Sequence, residues 1–142
     1  MKQKFIRGVF LWLLVFGLVL GGNGTSLFAE GGTLDGKNFI GEVGEKGQQS
    51  GMKDEFIFKE GRFRSTACDP YGFGDAAYTT TAEGETAMFE AETNSPTDGT
   101  MKWRGIVKGD RVEGTSMWYR PGKDVVEHWF KGELKTNTAA TQ

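Results

Sequence analysis

The pattern that most constrains this chain is a large apolar residue followed two positions later by glycine, alanine or serine. It occurs six times, beginning at Phe39, Phe63, Phe89, Trp103, Val112 and Phe130. A period of two is typical of β-strands, in which alternate side chains point to the same face. Small residues that recur on the apolar face allow a sheet to bend inwards, as the strands of a closing barrel do. The repeat therefore predicts a curved all-β domain, and it names no reaction.

The first 29 residues lack this pattern and are typical of a secretory signal peptide. Lys2, Lys4 and Arg7 precede an uncharged apolar run over residues 9–20, and small or weakly polar residues follow as far as Ala29. Twelve apolar residues are short for a membrane span, which needs about 20. We expect an exported protein, periplasmic or extracellular, that is cleaved after Ala29 and keeps no stable membrane span. An uncleaved N-terminal anchor is the alternative.

Removal of residues 1–29 would leave 113 residues, enough for one domain. The removed segment holds three of the 17 basic residues and none of the 19 acidic ones, so the remaining chain has a formal net charge of −5. An acidic exported domain is poorly suited to binding nucleic acid. Because Cys68 is the single cysteine, no internal disulfide can form, and the domain must be held together by its core.

Alternation of apolar and polar residues continues through the rest of the chain in eight segments. They lie near 38–44, 54–59, 62–68, 76–82, 85–93, 100–108, 111–119 and 125–135. Glycine-containing turns separate them and none has a helical period, so the sequence predicts an eight-stranded antiparallel up-and-down β-barrel over 38–135. Residues 30–37 are expected to be a flexible lead-in, and residues 136–142 a polar tail.

The connections between these strands fall into two classes. Tight hairpins contain Gly61, Gly84 and Gly109, whereas longer segments join the other strands at 45–53, 69–75, 94–99 and 120–124. In an up-and-down barrel, alternate connections lie at opposite ends. One end is therefore predicted to be closed by tight turns, with both termini nearby, and the other to be open and surrounded by the four longer loops.

The open end is the predicted binding site. Residue parity and strand direction place four rings inside the barrel near the long loops: Tyr78, Trp103, Trp118 and His128. Gly105, Gly114 and Gly132 are expected to leave space below these rings. The least generic segment, residues 68–74, adds a thiol and two aromatic rings at the rim. An eight-stranded barrel is filled by side chains or holds one small ligand. The predicted ligand-binding residues are Tyr78, Trp103, Trp118, His128, Cys68, Tyr71 and Phe73.

The predicted architecture resembles the calycins, meaning lipocalins and their relatives, which are eight-stranded barrels with one open end. The lipocalin signature at the first strand, a glycine followed two residues later by tryptophan, is replaced here by residues 36–39 (GKNF). The chain more closely resembles small exported bacterial proteins, in residues 65–69 (STACD), 72–74 (GFG), 89–92 (FEAE), 103–105 (WRG), 113–115 (EGT) and 129–132 (WFKG). This second resemblance implies a family but no activity.

Three functions are compatible with these features. The first is a non-catalytic barrel, without cofactor or metal, that binds a small hydrophobic or aromatic molecule at its open end. The second is an envelope interaction or inhibitor protein that has a filled barrel and uses its loops against a protein partner. The third is a thiol-dependent enzyme or redox sensor in which Cys68 is paired with His128.

The alternative is a purely structural role for both residues. Cys68 would be a small buried hydrophobe, and His128 would bond to a neighbouring hydroxyl or carbonyl group. A single histidine without other nitrogen or sulfur ligands makes a poor zinc site. Haem held by that histidine is chemically possible, although no Cys-x-x-Cys-His motif is present to attach it covalently.

Overall fold

The computed structural model describes residues 29–30 and 33–136, which form a closed antiparallel barrel. Each of β2 to β8 pairs with the next strand along the chain, and β9 pairs back with β2. The predicted eight-stranded up-and-down β-barrel is confirmed. Its elements are β1 (Ala29–Glu30), β2 (Asn38–Glu45), β3 (Met52–Lys59), β4 (Arg62–Ser65), a 3₁₀ helix (Thr66–Tyr71), β5 (Ala76–Glu83), β6 (Thr86–Ser95), β7 (Gly99–Lys108), β8 (Arg111–Tyr119) and β9 (Val126–Leu134).

The observed strands agree with the predicted segments within two residues at each end, except in the third. That strand was predicted over 62–68, but β4 ends at Ser65 and the chain turns into the 3₁₀ helix. Pro70 cannot donate a backbone hydrogen bond to a sheet, and Gly72 ends the helix with a φ of 82°. The turn directs residues 66–71 across the open end of the barrel.

Phenylalanine rings fill the interior from the closed end to the middle of the barrel. Phe58 and Phe89 meet edge to face, with ring centroids 4.9 Å apart, and both rings also contact Phe63 at 5.2 Å. Such edge-on pairs are the preferred geometry of aromatic rings. The inward parity of the apolar repeat is confirmed, because six rings are at most 1% exposed: Phe39, Phe56, Phe58, Phe63, Phe89 and Phe130.

The small residues of the repeat give room to these rings. Gly105 and Gly114 lie opposite each other on β7 and β8. A Cβ atom on Gly105 would come within 2.4 Å of the Phe89 ring and 2.8 Å of the Phe130 ring. The expectation that these glycines leave space for a ligand is therefore wrong, because protein side chains occupy that space.

Residues 33–37 close the end of the barrel at which the tight hairpins lie. Leu34 is 1% exposed, and its backbone N–H donates to the Tyr78 hydroxyl at 3.2 Å. That hydroxyl donates in turn to Asp35 at 2.6 Å, and Asp35 also accepts from the backbone N–H of Gly61. Within the expected lead-in, Leu34 therefore packs into the core, and hydrogen bonds through Tyr78 hold the neighbouring residues at this end.

Strand β1 extends this closed end, where Ala29 and Glu30 pair with Thr80 and Thr79 of β5. The rest of the predicted signal peptide lies outside the described residues, as does the tail from residue 137 onwards. Cleavage after Ala29 would leave only Glu30 of this strand in the processed chain. Within the part of the chain that the structure covers, no helix is both long enough and apolar enough to cross a membrane.

Candidate functional site

The open end of the barrel contains a cavity of about 300 Å³. Strands β2, β3, β7, β8 and β9 contribute to its wall, and the 3₁₀ helix and the loop after it cover one side. Most of the wall is apolar, which is typical of sites for small organic molecules. The lining residues are Val43, Gly44, Glu45, Gln48, Ser50, Gly51, Met52, Ala67, Cys68, Tyr71, Phe73, Met101, Trp118 and His128.

Five of the seven predicted site residues meet at this cavity. They are Cys68, Tyr71, Phe73, Trp118 and His128. Their convergence has a simple cause: strands β8 and β9 present the last two at the open end, and the turn after β4 brings the other three over the same opening. Residue parity and strand direction predicted the positions of Trp118 and His128. The inward position of Cys68 depends instead on the turn after Ser65.

Tyr78 is misplaced by the sequence analysis, because the structure puts it at the closed end. Strand β5 begins beside Phe63, so the backbone N–H of Tyr78 already reaches the carbonyl of Gly61 in the closed-end hairpin. Its side chain is 1% exposed and bonds to the segment around Leu34. The strands of a barrel are staggered, and the position of a residue along its own strand therefore does not give its depth.

Trp103 is also part of the core instead of the cavity wall. Its ring is 2% exposed and lies 5.1 Å from Phe63 and 5.4 Å from Phe130, centroid to centroid. The indole N–H donates to the hydroxyl of Thr93 at 3.1 Å, so its polar atom is satisfied inside the barrel. Trp103 therefore forms part of the packed layer beneath the cavity, contrary to the predicted role in ligand contact.

Trp118 is the centre of an aromatic group at the rim. The rings of Tyr71 and Phe73 stand edge-on to it, at centroid distances of 5.9 and 6.3 Å. The guanidinium of Arg120 lies 4.0 Å from its ring centre, a cation–π contact. The indole N–H donates to the carbonyl of Asp98 at 2.6 Å. These contacts hold the indole on the cavity wall from several sides.

His128 contributes a neutral polar group to this largely apolar wall. Its ring centre lies 6.2 Å from that of Trp118. Burial lowers the pKa of the imidazole; nearby Glu45 opposes this shift and Arg120 adds to it. Within residues 33–136, the buried Nδ1 atom has no hydrogen-bond partner. A buried polar atom without a partner is uncommon in folded proteins and marks a place where a ligand atom could bond.

The 3₁₀ helix is held over the cavity by a buried carboxylate. Asp54 of β3 is 4% exposed and accepts hydrogen bonds from the backbone N–H of Ala67 at 3.0 Å and from the side chains of Ser65 and Thr66. Burial raises the pKa of this carboxyl group, while the hydrogen bonds oppose the increase. Asp54 therefore positions the segment that carries Cys68 and Tyr71.

Cys68 points into the barrel and is 8% exposed. Its thiol donates to the sulfur of Met101 at 3.5 Å and lies 3.4 Å from the hydroxyl of Ser65. Burial raises the pKa of the thiol to about 11, and the carboxylates of Asp54 and Asp69 act in the same direction. This environment keeps the thiol protonated near neutral pH, the opposite of what a nucleophilic cysteine needs.

Several cavity residues were missed by the sequence analysis of the site. Met101 shares the parity of Trp103, and Val43 shares that of Phe39, so the signal for both was present in the alternation. The loop at residues 46–51 is different. It is held by Trp129, whose indole N–H donates to the carbonyls of Glu45 and Gln48, and no pattern predicted that contact for an outward-facing residue.

Comparisons with protein-family models, with curated proteins and with solved structures find no match to this chain. The site is therefore interpreted from its own residues. Among the described residues, no group of three or more His, Cys, Asp or Glu side chains is arranged to hold a metal ion.

Proposed function

We propose that this protein is an exported, non-catalytic barrel that binds one small hydrophobic or aromatic molecule in the cavity at its open end. The observation that carries the proposal is the combination of an apolar cavity with the Nδ1 atom of His128, which has no hydrogen-bond partner in the part of the chain that the structure describes. A volume of about 300 Å³ lies at the lower end of the range for ligand pockets, which is about 300–1,000 Å³. The ligand is therefore small.

The ligand would contact the rings of Tyr71, Phe73 and Trp118, which are already fixed by contacts with one another. A rigid aromatic wall loses little conformational freedom on binding, so more of the contact energy contributes to affinity. One polar atom of the ligand would bond to His128. Because the imidazole is held neutral, its Nδ1 atom can donate or accept, depending on the tautomer.

The other two candidate functions receive less support. An interaction protein with a filled barrel would not need the open-end cavity. A thiol-dependent enzyme would need an activated thiol, whereas Cys68 is buried and its pKa is raised. The acidic net charge also argues against nucleic acid as a partner.

The test is to fill the cavity without removing any core side chain. Ala67→Phe would place a ring in the cavity, and Ala77→Phe is the matched control because Ala77 is exposed on β5. The probe is N-phenyl-1-naphthylamine, a small apolar fluorophore whose emission rises in apolar surroundings. We expect saturable binding to the wild type and the control, and at least a tenfold loss of affinity in Ala67→Phe.

A second pair of variants tests the aromatic wall. Tyr71→Ala removes an aromatic ring from the rim of the cavity. Tyr119→Ala is the control and removes an exposed ring from the last residue of β8. Circular dichroism would check that each variant keeps its sheet structure. Equal probe affinity in the wild type, Ala67→Phe and Tyr71→Ala would overturn the assignment of the site.

A further inference from the structure

The cavity brings together several of the chain's soft metal-binding side chains. The sequence contains one cysteine, one histidine and five methionines. The cysteine, the histidine and two of the methionines all line this cavity: Cys68, His128, Met52 and Met101. They come from four different elements, the 3₁₀ helix, β9, β3 and β7. Their proximity is therefore produced by the fold and not by a local sequence motif.

Two of these donors are already in contact. The Sγ atom of Cys68 lies 3.5 Å from the Sδ atom of Met101, across the opening between the 3₁₀ helix and β7. Both residues are buried, at 8% and 4% exposure. Two sulfur atoms at this separation can both reach one ion at about 2.3 Å, the metal–sulfur distance found for zinc thiolates. The pair therefore needs little rearrangement to hold a metal ion.

His128 supplies a third donor to the same cavity. Its Nδ1 atom is buried and has no hydrogen-bond partner among the described residues. The nitrogen lone pair of a neutral imidazole is a metal ligand. Closed zinc sites use four nitrogen, oxygen or thiolate ligands, whereas thiolate and thioether sulfur together select Cu(I). The donor set of one thiol, one thioether and one imidazole thus favours Cu(I) over zinc.

We propose that Cys68, Met101 and His128 form a binding site for one Cu(I) ion in the wall of the cavity. On binding, a Cu–S bond replaces the S–H bond of Cys68, and the released proton passes to water. Copper enters and remains as Cu(I), so no electron is transferred. This site shares the cavity and His128 with the proposed binding of an apolar molecule, but it is argued from the contact between the sulfur atoms of Cys68 and Met101 and does not rest on that proposal.

The experiment measures Cu(I) binding by the purified protein under anaerobic, reducing conditions, in competition with the chromogenic chelator bicinchoninate. We expect one Cu(I) per chain. Met101→Leu conserves the size and apolar character of the side chain and removes only the thioether, so it should weaken binding at least tenfold. Met88→Leu is the matched control, because Met88 is 40% exposed on the outside of β6 and should leave the affinity unchanged.

Two further variants complete the test, Cys68→Ser and His128→Gln, and each should also weaken binding at least tenfold. Wild-type affinity in Met101→Leu, or equal losses in Met101→Leu and Met88→Leu, would overturn the proposal even if Cys68→Ser does not fold. A wild-type protein that binds N-phenyl-1-naphthylamine but not Cu(I) would overturn this proposal alone, and one that binds Cu(I) but not the probe would overturn the proposed function alone.

Discussion

The backbone N–H of Ala67 donates a 3.0 Å hydrogen bond to the carboxylate of Asp54, which joins the 3₁₀ helix to the neighbouring strand β3. Ala67 lines the cavity, and the following residue, Cys68, does so as well. The shape of the cavity on this side therefore depends on a buried carboxylate that does not itself line it. A substitution at Asp54 can therefore alter the cavity without replacing any residue that lines it.

Replacing Asp54 with alanine should destabilise the protein by about 1–3 kcal/mol, because buried donors around residues 65–67 would lose their acceptor. Urea denaturation would measure the change in the free energy of unfolding. Asp124→Ala is the control, since Asp124 is exposed in the loop before β9. An equal effect of the two substitutions would contradict the anchoring role.

Stability should also depend on pH through Asp54. Its pKa in the folded protein is raised above the ordinary value of 3.8, so the folded state holds this proton to higher pH than the unfolded state. The resulting stabilisation is present below pH 3.8 and is lost as the pH rises through the folded pKa. The free energy of unfolding of the wild type minus that of Asp54→Asn should therefore fall between acid and neutral pH. A difference that increases with pH would show that folding lowers the pKa of Asp54 instead of raising it.

Gly105→Ala tests the tight packing under the cavity. The new methyl group would lie 2.4 Å from the ring of Phe89 and 2.8 Å from that of Phe130, so the core must shift. Overpacking of this kind costs about 1–3 kcal/mol. Gly74→Ala is the control, because no described residue other than its two chain neighbours has an atom within 4 Å of the added methyl group. Thermal unfolding of both variants would measure the difference, and similar midpoints would contradict it.

Tyr78→Phe tests the closure of the opposite end. The substitution removes the hydroxyl that accepts from the backbone N–H of Leu34 and donates to Asp35. A buried N–H left without a partner costs about 1–3 kcal/mol, which chemical denaturation can measure. Tyr119→Phe removes an exposed hydroxyl and should change stability by less than about 0.5 kcal/mol. Equal stability of the two variants would argue against the closure.

The thiol of Cys68 should react slowly in the folded protein. It is buried, and its pKa is raised from 9.0 to about 11, so the reactive thiolate is roughly 100-fold less populated than in an unperturbed cysteine. Labelling with a chromogenic disulfide reagent at pH 8 should therefore be slow in buffer and fast in denaturant. Equal rates in the two conditions would revive the thiol-dependent alternative.

The strands were predictable because their signal is local. Phe63 is buried between exposed Arg62 and Arg64, and this alternation is visible in the sequence without knowing what the phenylalanine packs against. The hairpins at Gly61, Gly84 and Gly109 were predictable for the same reason, since all three glycines have a positive φ. Burial on one face and turns at fixed spacing were together enough to predict a barrel.

The candidate site was only partly predictable, because depth inside a barrel is not a local property. Parity correctly placed Tyr78 on the inner face, but the stagger of β4 against β5 carried it to the closed end. Cys68 moved in the other direction: continuing the strand pattern would have put it outside, and the turn after Ser65 brought it inside. The first discrepancy concerns how one strand lies against another, and the second concerns where a strand ends.

By itself, the sequence determined that this chain alternates apolar and polar faces over eight strands, with tight turns at one end and longer connections at the other. The tertiary structure alone decided which large side chains fill the barrel and which surround a cavity. The physical reason is that Trp103 and Trp118 have the same inward parity in the sequence, whereas only the stagger and closure of the strands place one among the phenylalanines and the other beside Tyr71. The contact between Cys68 and Met101 likewise exists only once the barrel has closed.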